Sequence, residues 1–193
     1  MADQLYLSYW IRGFSAVNML RHYETVLRLF PYSRLAETGP LFKILALDYT
    51  LPPVVETPFP TLVDPVEIIN AAKEFPDPGN CYELEACWDL WGFGGDWKLQ
   101  PAKVTLSCLG PEFAGGPGEN LRVGFGLDDQ FLPQPQLPSF LRMSQSNVKS
   151  LLKLVHDLDN SLHPETRQLW TESGVNFADL LRAATATPAS KNR

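Results

Sequence analysis

"CYELEACWDLW", Cys81 to Trp91, reads in two alternating registers. Successive side chains of an extended chain point to opposite faces, so Tyr82, Leu84, Ala86, Trp88 and Leu90 share one side while Glu83, Glu85, Cys87 and Asp89 share the other. Such two-faced alternation marks a strand with one side on a core and the other toward solvent. The polar register holds three carboxylates. That grouping fits a cation site, an acid/base cluster, or half of a cross-strand charge ladder.

Two later runs repeat the alternation, Trp97 to Leu109 and Asn120 to Asp128, and Gly-rich turns separate them. Val104, Leu106 and Cys108, then Leu121, Val123, Phe125 and Leu127, continue the apolar side, whereas Lys103, Thr105, Ser107, Arg122 and Asp128 continue the polar one. The three runs read as an antiparallel meander. Glu83, Glu85 and Asp89 are then expected across from Lys103, with Arg122 one strand further. Opposed charges of this kind contribute about 0.2 to 1 kcal/mol per pair, enough to bias register. The ladder is the preferred reading of the acids. A shared divalent cation is the alternative, since residues two apart on a strand are separated by roughly 6.6 Å, but a full oxygen shell needs ligands such as Asp128 and Asp129 that the sequence does not position. No metal and no cofactor is expected.

Upstream, Gln4 to Ile11 is a short aromatic and branched strand stopped by Gly13. Ala16, Met19, Leu20, Tyr23, Val26, Leu27 and Phe30 fall at helical spacing, which predicts an amphipathic helix capped by Ser15 and ended by Pro31. Leu41 to Thr50 reads as a buried strand and "PPVVETPF" as its short partner. "DPVEIINAAKEFP" has the punctuation of a helix, with Asp64 as cap, Pro65 in the first turn, Glu67 completing a capping box and Pro76 as the stop. Its stripe is Ile68, Ile69, Ala72 and Phe75. Downstream of the connector Gln130 to Phe140, helices are expected over 146–162, over a segment ending at Gly174, and over 177–182.

The element order is βαββαβ, two further strands, then helices. The fold class read from it is α+β: a two-layer sandwich with a ferredoxin-like βαββαβ start, extended by an antiparallel meander and C-terminal helices. Residues 1–184 are expected to form one domain and 185–193 a mobile tail.

The chain has 193 residues, 45% of them hydrophobic, with a formal net charge of −6 and a pI near 5.0. The acidic balance excludes a nucleic-acid binder and an anionic-membrane binder, both of which need a concentrated basic field. A protein partner, a basic one, suits it better. Three cysteines, an odd number, and an N-terminal "MADQLYLSYW" without a basic region and apolar run lead to the expectation of a reducing, cytoplasmic compartment. No apolar run reaches the 18 to 20 or so residues of a membrane helix.

Catalytic signatures of the GxSxG, HExxH and Walker types are missing. His156 with Asp157 lies on the polar side of its helix and reads as solvated. Cys81, Cys87 and Cys108 lack CxxC spacing and read as ordinary thiols. "GFGGDW" follows a strand without opening a helix, so it is a turn and not a dinucleotide cradle. That turn is bracketed by Trp91 and Trp97 and exposes Phe93, an aromatic tip suited to recognition because such rings contribute area at low entropy cost. "PQPQLP", Pro133 to Pro138, can present an extended spacer or ligand segment. No residues carry a resemblance to a known family.

The function these observations favour is a non-catalytic cytoplasmic binding module, with an acidic face (Glu83, Glu85, Asp89) and an aromatic tip (Trp91, Phe93, Trp97). The alternative is a hydrolase that uses the same carboxylates, with or without a divalent cation. Convergent carboxylates in a concavity favour the enzyme and separately paired ones favour the module.

Overall fold

A computed structural model of the chain describes residues 2–114, 118–132 and 140–185. The elements run β1 (Gln4–Trp10), α1 (Met19–Leu29), β2 (Leu41–Ala46), β3 (Val55–Pro58), α2 (Pro65–Lys73), β4 (Asn80–Phe93), β5 (Trp97–Leu109), β6 (Leu121–Leu127), α3 (Phe140–Leu162), β7 (Thr166–Thr171) and α4 (Phe177–Thr185). All seven strands form a single sheet ordered β3-β2-β4-β5-β6-β1-β7, with every neighbouring pair antiparallel. The mixed α and β class and the antiparallel meander β4-β5-β6 agree with the sequence reading.

The ferredoxin-like start does not appear. A ferredoxin-like start sets β1 between β3 and β4, whereas in this sheet β2 holds that position. Here β1 pairs with β6 and β7, on the far side of the meander from β2 and β3. Element order alone does not determine which strands pair, and the long β4-β5 hairpin inserts itself between the two groups.

A second correction concerns Thr166–Thr171, read as helical because Gly174 resembled a C-cap. The helix before it stops earlier. α3 ends at Leu162, His163 adopts a left-handed φ of 46° and Pro164 cannot continue the ladder. The next residues, rich in Thr and Trp, complete the second edge of β1 from Leu5↔Thr171 to Trp10↔Thr166. Gly174, at φ 82°, belongs to the turn that leads into α4.

Most of the apolar stripe positions are buried as the periodicities predict, while Ala16 before α1 and Leu152 of α3 are exposed. Met19, Tyr23, Val26, Leu27 and Phe30 of the α1 region, Ile68, Ile69 and Ala72 of α2, and Leu151, Leu154, Val155, Leu158 and Leu162 of α3 join alternate strand residues in one large buried cluster. Trp88 lies inside it, with the rings of Phe30 and Phe125 at 5.8 Å and Phe131 at 6.4 Å. The buried Tyr23 hydroxyl donates to the Leu106 carbonyl at 2.9 Å, which ties α1 to β5.

Some boundaries shift. α1 starts after Asn18 and not after Ser15, because the Asn18 side chain closes the preceding loop onto Ser15 N and Gly13 O. β2 stops at Ala46, where Leu47 takes a φ of 70° that leaves the strand direction. Phe75 falls beyond the end of α2 and is 45% exposed. The expected spacer Pro133–Pro138 and the expected tail after Thr185 lie outside the described residues. Among the described residues no helix is long and apolar enough to cross a membrane.

Candidate binding surface

The sheet's helix-free face carries one polar row from edge to edge. Register places Glu56, Lys43, Glu83, Ser107, Arg122, Ser8 and Gln168 successively opposite one another, from β3 to β7. Antiparallel alternation dictates this outcome: Lys43, Glu83, Ser107, Arg122 and Ser8 are each flanked along their strands by side chains of the buried cluster.

The three acids on β4 meet different partners. Glu83 is half-buried between Lys43 and Ser107 and accepts a hydrogen bond from the Ser107 hydroxyl at 3.2 Å. Burial pushes its carboxyl above the usual range, with Glu85 adding to the rise and Ser107 opposing it. Glu85 is exposed and forms an ion pair with Lys43, whose ammonium is raised mainly by that hydrogen bond. Asp89 accepts from the Ser33 hydroxyl and, at 2.8 Å, from Arg34 N, so it ties down the loop that follows α1. The expected opposition to Lys103 is absent from the register, because Lys103 faces Cys87 and the matching cation comes from β2. Among the described residues no group of three or more His, Cys, Asp or Glu is gathered as a metal site would require.

Beyond Ser107, Arg122 is clasped from several sides. Its guanidinium pairs with Glu119, whose side chain is fully buried, and lies 5.5 Å from the Tyr6 ring centre and 5.8 Å from that of Tyr49. A cavity of about 210 Å³ opens here, bounded by Tyr6, Tyr49, Glu83, Ser107 and Arg122. A larger one, of about 350 Å³, lies further along the same two strands, where Glu85, Cys87 and Lys103 face the loop carrying Thr38 to Leu41.

The hairpin β4-β5 outruns its neighbours. Pairing with β2 ends at Glu85 and pairing with β6 ends at Thr105, whereas the β4-β5 ladder continues from Ala86↔Val104 to Phe93↔Trp97. At about 3.4 Å per residue the overhang is roughly 25 Å long. Its base is anchored. Trp88 and Leu90 are buried, Ser33 N donates to Cys87 O, and the Asn147 side chain from α3 accepts from Trp91 N and donates to Trp91 O, both at 2.9 Å.

The free end groups aromatic and aliphatic side chains beside the exposed Asp96, Lys98 and Gln100. Phe93 and Leu99 are 37% and 44% exposed, and Trp91 and Trp97 are half-buried. Trp91 faces Leu99 across the ladder, and the rings of Phe93 and Trp97 meet at 5.4 Å. Gly95, at φ 101°, supplies the turn conformation that a side chain disfavours.

Comparison with protein-family models, curated proteins and solved structures found no match.

Of the six residues singled out in the sequence, Trp91, Phe93 and Trp97 come together on the overhang. Glu83 and Glu85 stay on the sheet face, and Asp89 serves the adjoining loop. Lys43, Asn147 and the Glu119–Arg122 pair were missed. Lys43 carried a usable signal, as the polar residue within the apolar run "LFKILA"; Asn147 carried none, because its role arises from tertiary contact with β4.

Proposed function

We propose that the protein is a non-catalytic binding module of the cytoplasm, and that the projecting β4-β5 hairpin is its contact surface for a protein partner. The observation that carries this reading is the overhang itself. A ribbon anchored at its base by Asn147 and ending in Phe93, Trp97, Trp91 and Leu99 presents aromatic area on a held backbone, which lowers the ordering cost of association. The separate pairing of Glu83, Glu85 and Asp89 supports the module over the hydrolase. The unpaired thiols of Cys81, Cys87 and Cys108 agree with a reducing compartment.

The test is affinity purification from the native cell with the wild-type chain and with a Phe93→Ser/Leu99→Ser variant. Both side chains are substantially exposed, so the melting temperature of the variant is expected to stay close to that of the wild type. A partner retained by the wild type and lost by the variant is the expected result. Equal retention by both proteins would remove the hairpin as the contact surface.

One observation keeps the hydrolase as a second reading. Glu83 combines a raised carboxyl pKa with a cavity that also holds Arg122, as a general acid would. Hydrolytic turnover abolished by Glu83→Gln would establish it.

A further inference from the structure

Where the overhang meets α3, a cavity of about 380 Å³ is lined by Trp91, Arg142, Met143, Gln145, Ser146 and Lys149. Its charge differs from that of three other cavities. Each of those has a carboxylate as well as a cation in its lining: Glu83 with Arg122, Glu85 with Lys103, and Asp157 with Lys153. This lining contains two cations and no acid, in a chain whose Asp and Glu outnumber Lys and Arg by 22 to 16. Arg142 and Lys149 are exposed, and neither forms an ion pair among the described residues.

A further feature adds to the excess. α3 has no acidic residue in its first turn, so its partial positive end adds to Arg142 where a carboxylate usually offsets it. Trp91 and Met143 supply the apolar wall, and the two hydrogen bonds from Asn147 hold the Trp91 backbone in position.

We infer that this cavity takes an acidic segment of the protein partner, with a carboxylate toward Arg142 and Lys149 and a neighbouring large apolar side chain against Trp91 and Met143. Arg142 offers the planar fork that matches a carboxylate, and Lys149 adds a point charge. Two cations within an acidic chain are too few for a phosphate backbone or an anionic bilayer, each of which is held by extended basic surfaces. The inference rests on the binding-module reading and adds the partner's chemistry. Whole-chain charge favours a basic partner; the charge at this contact favours an acidic one, and contact charge decides which segment docks.

The test pans random peptides displayed on phage against the full chain, and measures the enriched peptides on Arg142→Glu/Lys149→Glu and on Phe93→Ser/Leu99→Ser. Both reversed residues are exposed, and a Glu near the start of α3 complements its dipole, so the variant is expected to melt with the wild type. Enriched peptides should be acidic with at least one aromatic or large aliphatic residue, and the charge reversal should weaken them at least tenfold. Enrichment of basic or uncharged peptides, acidic peptides indifferent to the reversal, or no enrichment over an unrelated protein would overturn the inference. Basic peptides lost on the Phe93→Ser/Leu99→Ser variant would overturn the acidic assignment and leave the hairpin as the contact surface. A single-stranded oligonucleotide or phosphatidylserine vesicles bound as tightly as the best peptide would overturn the choice of a protein segment.

Discussion

Trp88 and Glu85 are three residues apart on β4 and on opposite faces, and they should respond to substitution very differently. Trp88→Ala is expected to cost about 3 to 5 kcal/mol, because it removes a buried ring packed against Phe30, Phe125 and Phe131 and leaves a void. Glu85→Gln, which gives up an exposed pair with Lys43, should cost about 0 to 1 kcal/mol. Urea titration of both variants checks the order, and a reversed order would mean that the faces of β4 are exchanged. Glu83 adds a pH dependence. Its carboxyl is raised by burial above the ordinary 4.5, so the folded chain holds a proton that the unfolded chain has released over the window above that value. The stability tied to the neutral form is complete below 4.5 and lost as pH rises through the folded pKa. Glu83→Gln should therefore melt with the wild type near pH 4 and above it near pH 7. Higher stability of the wild type near pH 7 would show that Lys43 and Arg122 outweigh burial.

At the scale of elements, the caps and anchors are testable one by one. Asp64 accepts from Val66 N at 2.8 Å at the start of α2, and Asp64→Ala is expected to cost about 0.5 to 2 kcal/mol. Glu67 makes no reciprocal bond among the described residues, so Glu67→Ala should lose only its dipole contribution, about 0.3 to 1 kcal/mol. Asn147, which joins Trp91 and the Gln130 carbonyl to α3, is buried, and Asn147→Ala leaves those backbone groups without partners. A loss of about 1 to 3 kcal/mol is expected, with faster hydrogen exchange at the Trp91 amide. Unchanged exchange there would mean that the overhang holds itself. The elements were legible wherever one periodicity ran long: β4, β5, β6, α1, α2 and most of α3 follow from alternation or helical spacing. Thr166–Thr171 was not, because a six-residue run with Gln, Leu and Trp has no decisive period, and its strand conformation comes from the edge of β1.

At the scale of the whole molecule, pairing order was the hidden quantity. Periodicity tells which residues face the core, but β1 beside β6 and β7 depends on contacts between distant parts of the chain. The same limit applied to the surface. The aromatic tip was readable from Trp91, Phe93 and Trp97 around a Gly-rich turn, whereas the overhang that projects it appears only once β2 and β6 are seen to stop short. The charge around it was hidden too, since Arg142 and Lys149 approach Trp91 from a helix more than forty residues away in sequence. The measurement that bears most directly on this picture is hydrogen exchange of the protein isolated from its native cell with its partner bound, compared with the protein alone. Slowed exchange at Trp91 to Leu99 and in the first half of α3, with α1 and α2 unchanged, is the expected result. Protection confined to the α1 and α2 side, with the overhang exchanging as in the free protein, would contradict it.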